Sequence, residues 1–150
     1  MSFLKEYSKD WFEIKTDSPY MLFTSKVAKE KLLSNDTDDE FELSKINNRR
    51  SVIPAVTHLD NSARLQTVDK KHNPKYYQLI SNFYKNTGCP LVINTSFNVR
   101  GEPIVLSPED AYNCFMGTEI DILIIEDFIL YKHNQINKID KNFIKKFDED

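Results

Sequence analysis

The chain has 150 residues, of which 40% are hydrophobic, 12% aromatic and 29% charged, and its formal net charge is −3. This size fits one globular domain, and the negative balance argues against a protein that binds nucleic acid mainly through charge. No apolar run approaches the roughly 20 residues of a membrane helix, and the N-terminus does not resemble a signal peptide. We therefore expect a cytoplasmic protein in which Cys89 and Cys114 are buried and reduced.

The first third of the chain predicts short elements around a polar insertion. Residues 2–9 predict a helix, and 11–14 and 20–23 predict brief strands. The segment 34–50 is rich in Asp, Asn, Glu and Lys and predicts a solvated acidic surface loop. Its acidic spacing suggests a calcium loop, but Phe41 occupies the sixth position, where an EF-hand needs Gly. A solvated loop is the interpretation we favour.

The middle of the chain predicts two strands followed by a helix. Residues 53–59 and 63–68 predict strands joined by a tight connection at Asp60-Asn61-Ser62. The helix is the clearest element, because Asn73 can cap its start, Pro74 suits its first turn and Gly88 can end it.

The last part of the chain predicts strands at 89–95, 104–106, 122–125 and 128–131. A helix begins at Ser107 with a capping box that uses Asp110, and Gly117 ends it. The tail from His133 predicts a surface helix or a frayed end. Because several strands follow one another without a helix between them, the pattern indicates an α+β domain with a mixed sheet.

Polar side chains at three strand ends are the candidates for chemistry. They are Thr57 and His58, then Arg64, then the polar run that begins at Asn94. Within that run Ser96 and Asn98 project from one face if the segment is extended, where they can donate to phosphate oxygens that Arg64 also grips. The alternative is that Ser96 and Asn98 stabilise a turn and Arg64 pairs with a surface carboxylate. Spacing alone favours this structural role.

His58 is a second open question. It could act as a general base, but no matching Ser or Cys nucleophile motif is present, so a structural hydrogen bond is the favoured role. The three glycines of the chain form neither a Walker loop nor a dinucleotide-binding fingerprint.

Two long segments resemble a known family. Residues 53–68, IPAVTHLDNSARLQTV, are similar to the PAVTHVDGTARVQTV stretch of the NodU/CmcH O-carbamoyltransferases. Residues 91–105, LVINTSFNVRGEPIV, resemble the LLNTSFNVRGEPIV stretch of the same family. The resemblance runs from about Phe3 to Lys132. Asn61 stands where the family usually has Gly, and 34–50 looks like an insertion.

The resemblance implies a YrdC-like C-terminal carbamoyltransferase domain over residues 1–132, with a mixed twisted sheet and flanking helices, followed by a charged tail at 133–150. In that family this domain binds carbamoyl phosphate and ATP, with Mg²⁺ accompanying ATP, and makes carbamoyl adenylate. A separate N-terminal domain then transfers the carbamoyl group to an acceptor hydroxyl. The family's metal belongs to that other domain, so we expect no protein-bound metal here.

The resemblance also assigns residues. Arg64, Ser96 and Asn98 match the catalytic set, in which Arg64 neutralises phosphate charge and Ser96 and Asn98 contact the nucleotide. Arg100 is a second cation of the binding site, and the lining residues of the pocket are Thr57, His58 and Asn94.

Two features leave alternatives open. In the family a Lys- and Arg-containing KxREWFRPFAP segment and a whole N-terminal domain precede the point where this chain starts. We therefore expect an enzyme half completed by a separately encoded N-terminal carbamoyltransferase chain, or a non-catalytic nucleotide-binding or scaffolding remnant. An RNA-binding role is disfavoured by the acidic balance, and no membrane partner is expected.

Overall fold

The computed structural model describes residues 1–33, 49–136, 143 and 147. The chain forms two compact units, Met1–Asn94 and Thr95–Asp150. The predicted acidic loop lies outside the described residues except for its last two positions, and most of the charged tail lies outside them as well.

A four-stranded sheet in the order β2-β3-β1-β4 forms the centre of the first unit. Its strands are β1 (Ser2–Leu4), β2 (Phe23–Lys26), β3 (Ser62–Val68) and β4 (Leu91–Val92). β1 runs parallel to β3, whereas the pairs β2–β3 and β1–β4 are antiparallel. The mixed sheet with its helices confirms the α+β prediction.

The two faces of β3 differ in chemistry. Ala63 and Leu65 are fully buried in a core that includes the rings of Phe3 and Phe12, whose centroids are 5.0 Å apart. Because side chains alternate along a strand, the intervening Arg64 projects from the opposite face, where it is exposed. The strand therefore separates an apolar core from a polar surface.

Helix α2 (Pro74–Thr87) packs on one end of that second face. It begins at Asn73, whose side chain accepts from the Tyr76 N–H at 3.3 Å, and ends at Gly88, which adopts φ = 72°. Ile80 packs against Leu4 and Val68 beneath the helix. This confirms the predicted helix and both of its ends.

The segment 2–9 differs from the prediction. Its start is β1, and only Lys5–Tyr7 (a 3₁₀ turn) and Ser8–Trp11 (α1) are helical. Phe3 and Leu4 are both buried, in clusters on opposite sides of the sheet. Pairing with β3 buries both side chains, and the free energy gained by this burial outweighs the weak helix preference of the segment.

The predicted strand at 53–59 is also wrong, because Pro54–Val56 forms a 3₁₀ turn. Pro54 has no N–H to give to a sheet, and the Thr57 hydroxyl donates to the Ile53 carbonyl at 2.9 Å and closes the turn. The predicted strand at 11–14 is reduced to one bridge between Phe12 and Val27. Residues 104–106 form no strand either.

The flanks of the predicted insertion pair with each other. Leu32 and Ser51 form an antiparallel bridge, the Leu33 N–H donates to the Arg50 carbonyl at 2.8 Å, and the Val52 N–H donates to Lys31 at 3.0 Å. Residues 31–33 and 50–52 therefore lie side by side in the first unit.

The second unit packs helix α3 (Pro108–Gly117) on a hairpin of β5 (Ile122–Ile125) and β6 (Phe128–Tyr131). The predicted capping box is present at the start of α3, with Ser107 and Asp110 bonded reciprocally. The hairpin strands pair antiparallel, with Leu123 opposite Leu130. The predictions for these three elements are confirmed.

The cysteines are both free, and Cys114 is buried while Cys89 is half-buried. Burial in α3 raises the pKa of the Cys114 thiol to about 11, with a further contribution from neighbouring Glu102. Its thiolate is therefore scarce at neutral pH, which is typical of a structural cysteine.

Candidate functional site

The segment from Ser18 to Met21 lies along β3 and frames the polar face of the sheet. The Thr67 N–H donates to the Ser18 carbonyl at 2.9 Å, and the Ser18 hydroxyl donates to the Leu65 carbonyl at 2.7 Å. Further along the segment, the carbonyl groups of Pro19 and Met21 accept hydrogen bonds from side chains of β3. The backbone of this segment therefore fixes the positions of the side chains beside it.

Arg64 is held by this frame through one nitrogen. Its Nε donates to the Met21 carbonyl at 2.7 Å, and Met21 adopts φ = 56° to present that oxygen. Within the described part of the chain, no side chain or carbonyl accepts from the two terminal nitrogens of Arg64. The predicted surface ion pair is therefore not seen there, and Arg64 is an exposed residue whose two terminal nitrogens can donate to an anion.

Gln66, Ser2 and Asn94 form a bonded cluster beside Arg64. The Gln66 Oε1 accepts from the Ser2 hydroxyl at 2.6 Å and from the Asn94 amide at 2.8 Å, while Gln66 Nε2 donates to the Pro19 carbonyl at 3.0 Å. Asn94 Nδ2 also lies 3.0 Å from Ser2 Oγ. The structure thus links the predicted residue Asn94 to the strand that carries Arg64.

Sequence reasoning missed two members of this cluster. Gln66 is two positions after Arg64 in a strand, so the period of two could have identified it as a neighbour on the same face. Ser2 was assigned to a helix, and only its register opposite Gln66 in β1 brings it to the site.

A cleft of about 520 Å³ adjoins Gln66. Its walls include Asp17, Tyr20, Asp69 and His72. The His72 Nδ1 lies 2.7 Å from an Asp69 oxygen, and this contact lowers the pKa of Asp69. The residues that line the cleft thus include two carboxylates and an aromatic ring, and none of them is Lys or Arg.

Thr57 is buried and serves the 3₁₀ turn. Besides its bond to Ile53, its hydroxyl lies 2.7 Å from Ser51 Oγ, and its carbonyl accepts from Arg50 at 3.3 Å. In this arrangement Thr57 shapes the backbone rather than facing a ligand.

His58 is exposed and bonded locally. Its Nδ1 lies 3.0 Å from Ser62 Oγ, and its N–H donates to the Ser62 carbonyl at 2.7 Å. Asn61 in this turn adopts φ = 60°, the left-handed region in which Gly or Asn is favoured. That conformation explains how Asn61 can stand where the resembling family has Gly.

Asp60 stabilises the same turn through its carboxylate. It accepts from the Ser62 hydroxyl at 2.6 Å and from the Ser62 N–H at 3.0 Å. These bonds, helped by Lys26, lower the pKa of Asp60 to about 2. The carboxylate is therefore occupied in holding the start of β3.

The remaining predicted residues lie in the second unit. Asn98 donates from Nδ2 to the carbonyls of Val99 (3.2 Å) and Glu102 (2.7 Å), and Glu102 accepts from the Val99 N–H at 2.8 Å. Asn98 is thus a turn-forming residue in this geometry, with both amide hydrogens in use. Ser96 and Arg100 are exposed.

The predicted set therefore divides between the units. Thr57, His58, Arg64 and Asn94 belong to the first, while Ser96, Asn98 and Arg100 belong to the second. Among the described residues, no three His, Cys, Asp or Glu side chains converge as a metal site would require. No helix in the described part of the chain is long and apolar enough to cross a membrane.

Comparison with known proteins matches residues 1–132 to the family described as Carbamoyltransferase C-terminus. An uncharacterised Synechocystis protein is 52% identical over 136 residues, covering 89% of this chain and 22% of that protein. Nodulation protein NolO of Bradyrhizobium diazoefficiens is 46% identical over 82 residues (55% and 15%). Nodulation protein NolNO of Sinorhizobium fredii is 35% identical over 134 residues (87% and 17%).

The chain spans about a fifth of the length of these relatives, or less. The match covers the first unit and both strands of the hairpin in the second. It includes the polar face around Arg64 and the turn around Asn98. The chain belongs to the carbamoyltransferase C-terminus family, as the resemblance of its two long segments predicted.

Proposed function

We propose that this chain is the part of an O-carbamoyltransferase that binds carbamoyl phosphate and ATP and forms carbamoyl adenylate. Another domain or a partner chain then transfers the carbamoyl group to an acceptor hydroxyl. Water first hydrolyses carbamoyl phosphate to carbamate and phosphate. A carbamate oxygen then attacks the α-phosphorus of ATP, and pyrophosphate leaves.

The observation that carries the proposal is the hydrogen bonding and the exposure of Arg64. It lies in one of the two segments that resemble the family, its Nε is anchored on the Met21 carbonyl, and the residue is exposed, with no partner for its terminal nitrogens among the described residues. A guanidinium offers two parallel donors to a phosphate. Anchoring also reduces the side-chain entropy that binding would otherwise cost.

Attack of carbamate on the α-phosphorus requires that the reactants are positioned and the phosphate charge is neutralised, more than it requires a strong base. This fits a site in which the Thr57 hydroxyl closes a turn and His58 is bonded to Ser62 through Nδ1. The role of Asn98 in this proposal is to hold the Val99–Glu102 turn, in a unit where Ser96 and Arg100 are exposed.

The test is calorimetric titration of the chain with Mg-ATP and with carbamoyl phosphate, for the wild type, Arg64→Ala and the surface control Lys85→Ala. We expect sub-millimolar binding of carbamoyl phosphate that weakens at least about tenfold in Arg64→Ala, because one charge-assisted contact is lost. Lys85→Ala should bind like the wild type. Binding that survives Arg64→Ala would place the anion elsewhere.

Absence of binding for both ligands would favour a non-catalytic scaffolding role instead. Supplying the remaining part of a related carbamoyltransferase as a second chain, and measuring release of pyrophosphate, then tests for turnover. The enzyme-half proposal predicts release only when both chains are present.

A further inference from the structure

The orientation of the Asn94 amide is determined by a chain of hydrogen bonds that starts at Pro19. The Pro19 carbonyl oxygen can only accept, so Gln66 must turn its NH₂ group towards it, at 3.0 Å. The Gln66 Oε1 then faces the other way and can only accept. It does so from the Ser2 hydroxyl at 2.6 Å and from Asn94 Nδ2 at 2.8 Å.

Asn94 must therefore present its NH₂ group to the cluster, where Nδ2 also donates to Ser2 Oγ at 3.0 Å. Its carbonyl oxygen Oδ1 is left on the far side of the amide. No donor from the described part of the chain reaches Oδ1, and Asn94 is exposed. The cluster thus holds one hydrogen-bond acceptor at a fixed place on the surface.

We propose that Asn94 Oδ1 accepts a hydrogen bond from the NH₂ group of carbamoyl phosphate and so selects it over acyl phosphates that carry a methyl group there. The inference rests on the proposed function, in which Arg64 takes the phosphate of the same molecule. It names Asn94 as a specificity residue and Gln66 as the residue that positions it.

The placement of the two groups suits one small ligand. Arg64 and Gln66 project from the same face of β3, and their Cα atoms are about 7 Å apart in an extended strand. The terminal nitrogens of Arg64, which lie beyond the anchored Nε, would hold the phosphate while Asn94 contacts the NH₂ group of the same ligand. Arg64 would then pair with the phosphate group, which every acyl phosphate carries. Asn94 would accept from the NH₂ group, which carbamoyl phosphate carries and acetyl phosphate lacks.

Acetyl phosphate is the matched probe, because it replaces the NH₂ group of carbamoyl phosphate by a methyl group of similar size. A methyl group placed against Oδ1 makes no hydrogen bond and removes water from the acceptor. We expect the wild type to bind carbamoyl phosphate about fivefold or more tightly than acetyl phosphate.

The experiment is calorimetric titration with freshly prepared carbamoyl phosphate, acetyl phosphate and inorganic phosphate. Asn94→Leu removes the acceptor at similar volume, and Gln66→Met keeps Asn94 but releases its amide. Asn86→Leu, an exposed Asn-to-Leu change on α2, is the control. Far-UV circular dichroism verifies that each variant is folded.

The inference predicts that preference for carbamoyl phosphate falls to near one in Asn94→Leu, falls partly in Gln66→Met and is unchanged in Asn86→Leu. Affinity for inorganic phosphate should change in none of them. An unchanged preference in folded Asn94→Leu, or a wild type without preference, overturns the inference while phosphate binding through Arg64 stands. A wild type that binds none of the three compounds overturns the proposed function and the inference together.

Discussion

Each unit of this chain has an uncovered sheet face, and the two faces have opposite chemistry. In the first unit the polar face carries the exposed Arg64 and the half-buried Gln66, whose groups are bonded into fixed positions together with the fully buried Ser2. In the second unit the outer face of the hairpin carries the register pairs Ile122–Tyr131 and Ile124–Ile129, all exposed by 42–64%.

The comparison shows that exposure alone does not identify a ligand site. The hairpin face offers apolar area but no directional group, so it cannot select a small anion. The face around Arg64 offers little area but has a charge and an acceptor that are held before any ligand arrives. Pre-organised polar groups of this kind determine specificity in small-molecule sites.

The largest expected effect tests the claim that β3 separates a core from a binding surface. Leu65→Ala should lower the free energy of unfolding of the first unit by about 2–5 kcal/mol, because it leaves a cavity in a fully buried cluster. The single tryptophan, Trp11, packs against the same cluster and reports its unfolding by fluorescence in urea. Arg64→Ala, one residue earlier, is the matched control and should cost less than about 1 kcal/mol. Equal losses would contradict the division of the strand.

A smaller effect is expected from the turn that starts β3. The pKa of Asp60 is lowered to about 2 from 3.8, so its bonds stabilise the fold fully above pH 4 and are lost as the pH falls towards 2. Because this carboxylate is largely exposed, we expect less than about 1 kcal/mol. Asp60→Asn should flatten the fall in stability between pH 4 and pH 2, measured by urea unfolding with Trp11 fluorescence. An unaltered slope in Asp60→Asn would contradict the role given to its bonds.

The smallest effect is expected on the outer hairpin face. Ile124→Thr should change the stability of the second unit by no more than about 0.5 kcal/mol, since the side chain is 64% exposed and Thr suits a strand. Leu123→Ala, on the opposite face of the same strand, should cost about 2–4 kcal/mol. Amide hydrogen exchange of α3 and the hairpin measures both. A large loss in Ile124→Thr would show that this face is packed in the folded chain.

The sequence predicted the elements whose ends carry their own signals. Helix α2 begins at Asn73 and ends at Gly88, and α3 begins at its Ser107–Asp110 capping box, because caps satisfy backbone groups within a few residues. β1 and the turn at Pro54 were assigned wrongly for the converse reason. β1 is a strand only because β3 and β4 pair with it, and Pro54–Val56 is closed by the side chain of Thr57.

The residues of the candidate site likewise divide into those that the sequence identified and those that it missed. The two long segments carried the family and named Arg64 and Asn94, because residue types at fixed spacing are a property of the sequence alone. Gln66 was missed although the period of its predicted strand could have identified it, whereas Ser2 belongs to the site only through its register across the sheet.

The sequence by itself thus determined the helices with their caps, the family and the residues with the right chemistry. Only the tertiary structure decided which of these residues are used to hold the backbone and which keep a hydrogen-bonding group without a partner among the described residues. Thr57 and Asn98 donate to carbonyl groups of the backbone. Arg64 bonds through Nε and Asn94 through Nδ2, so the terminal nitrogens of Arg64 and Oδ1 of Asn94 have no partner among the described residues. The physical reason is that a hydrogen-bonding group is available to a ligand only when no nearer partner satisfies it, and the fold sets those distances.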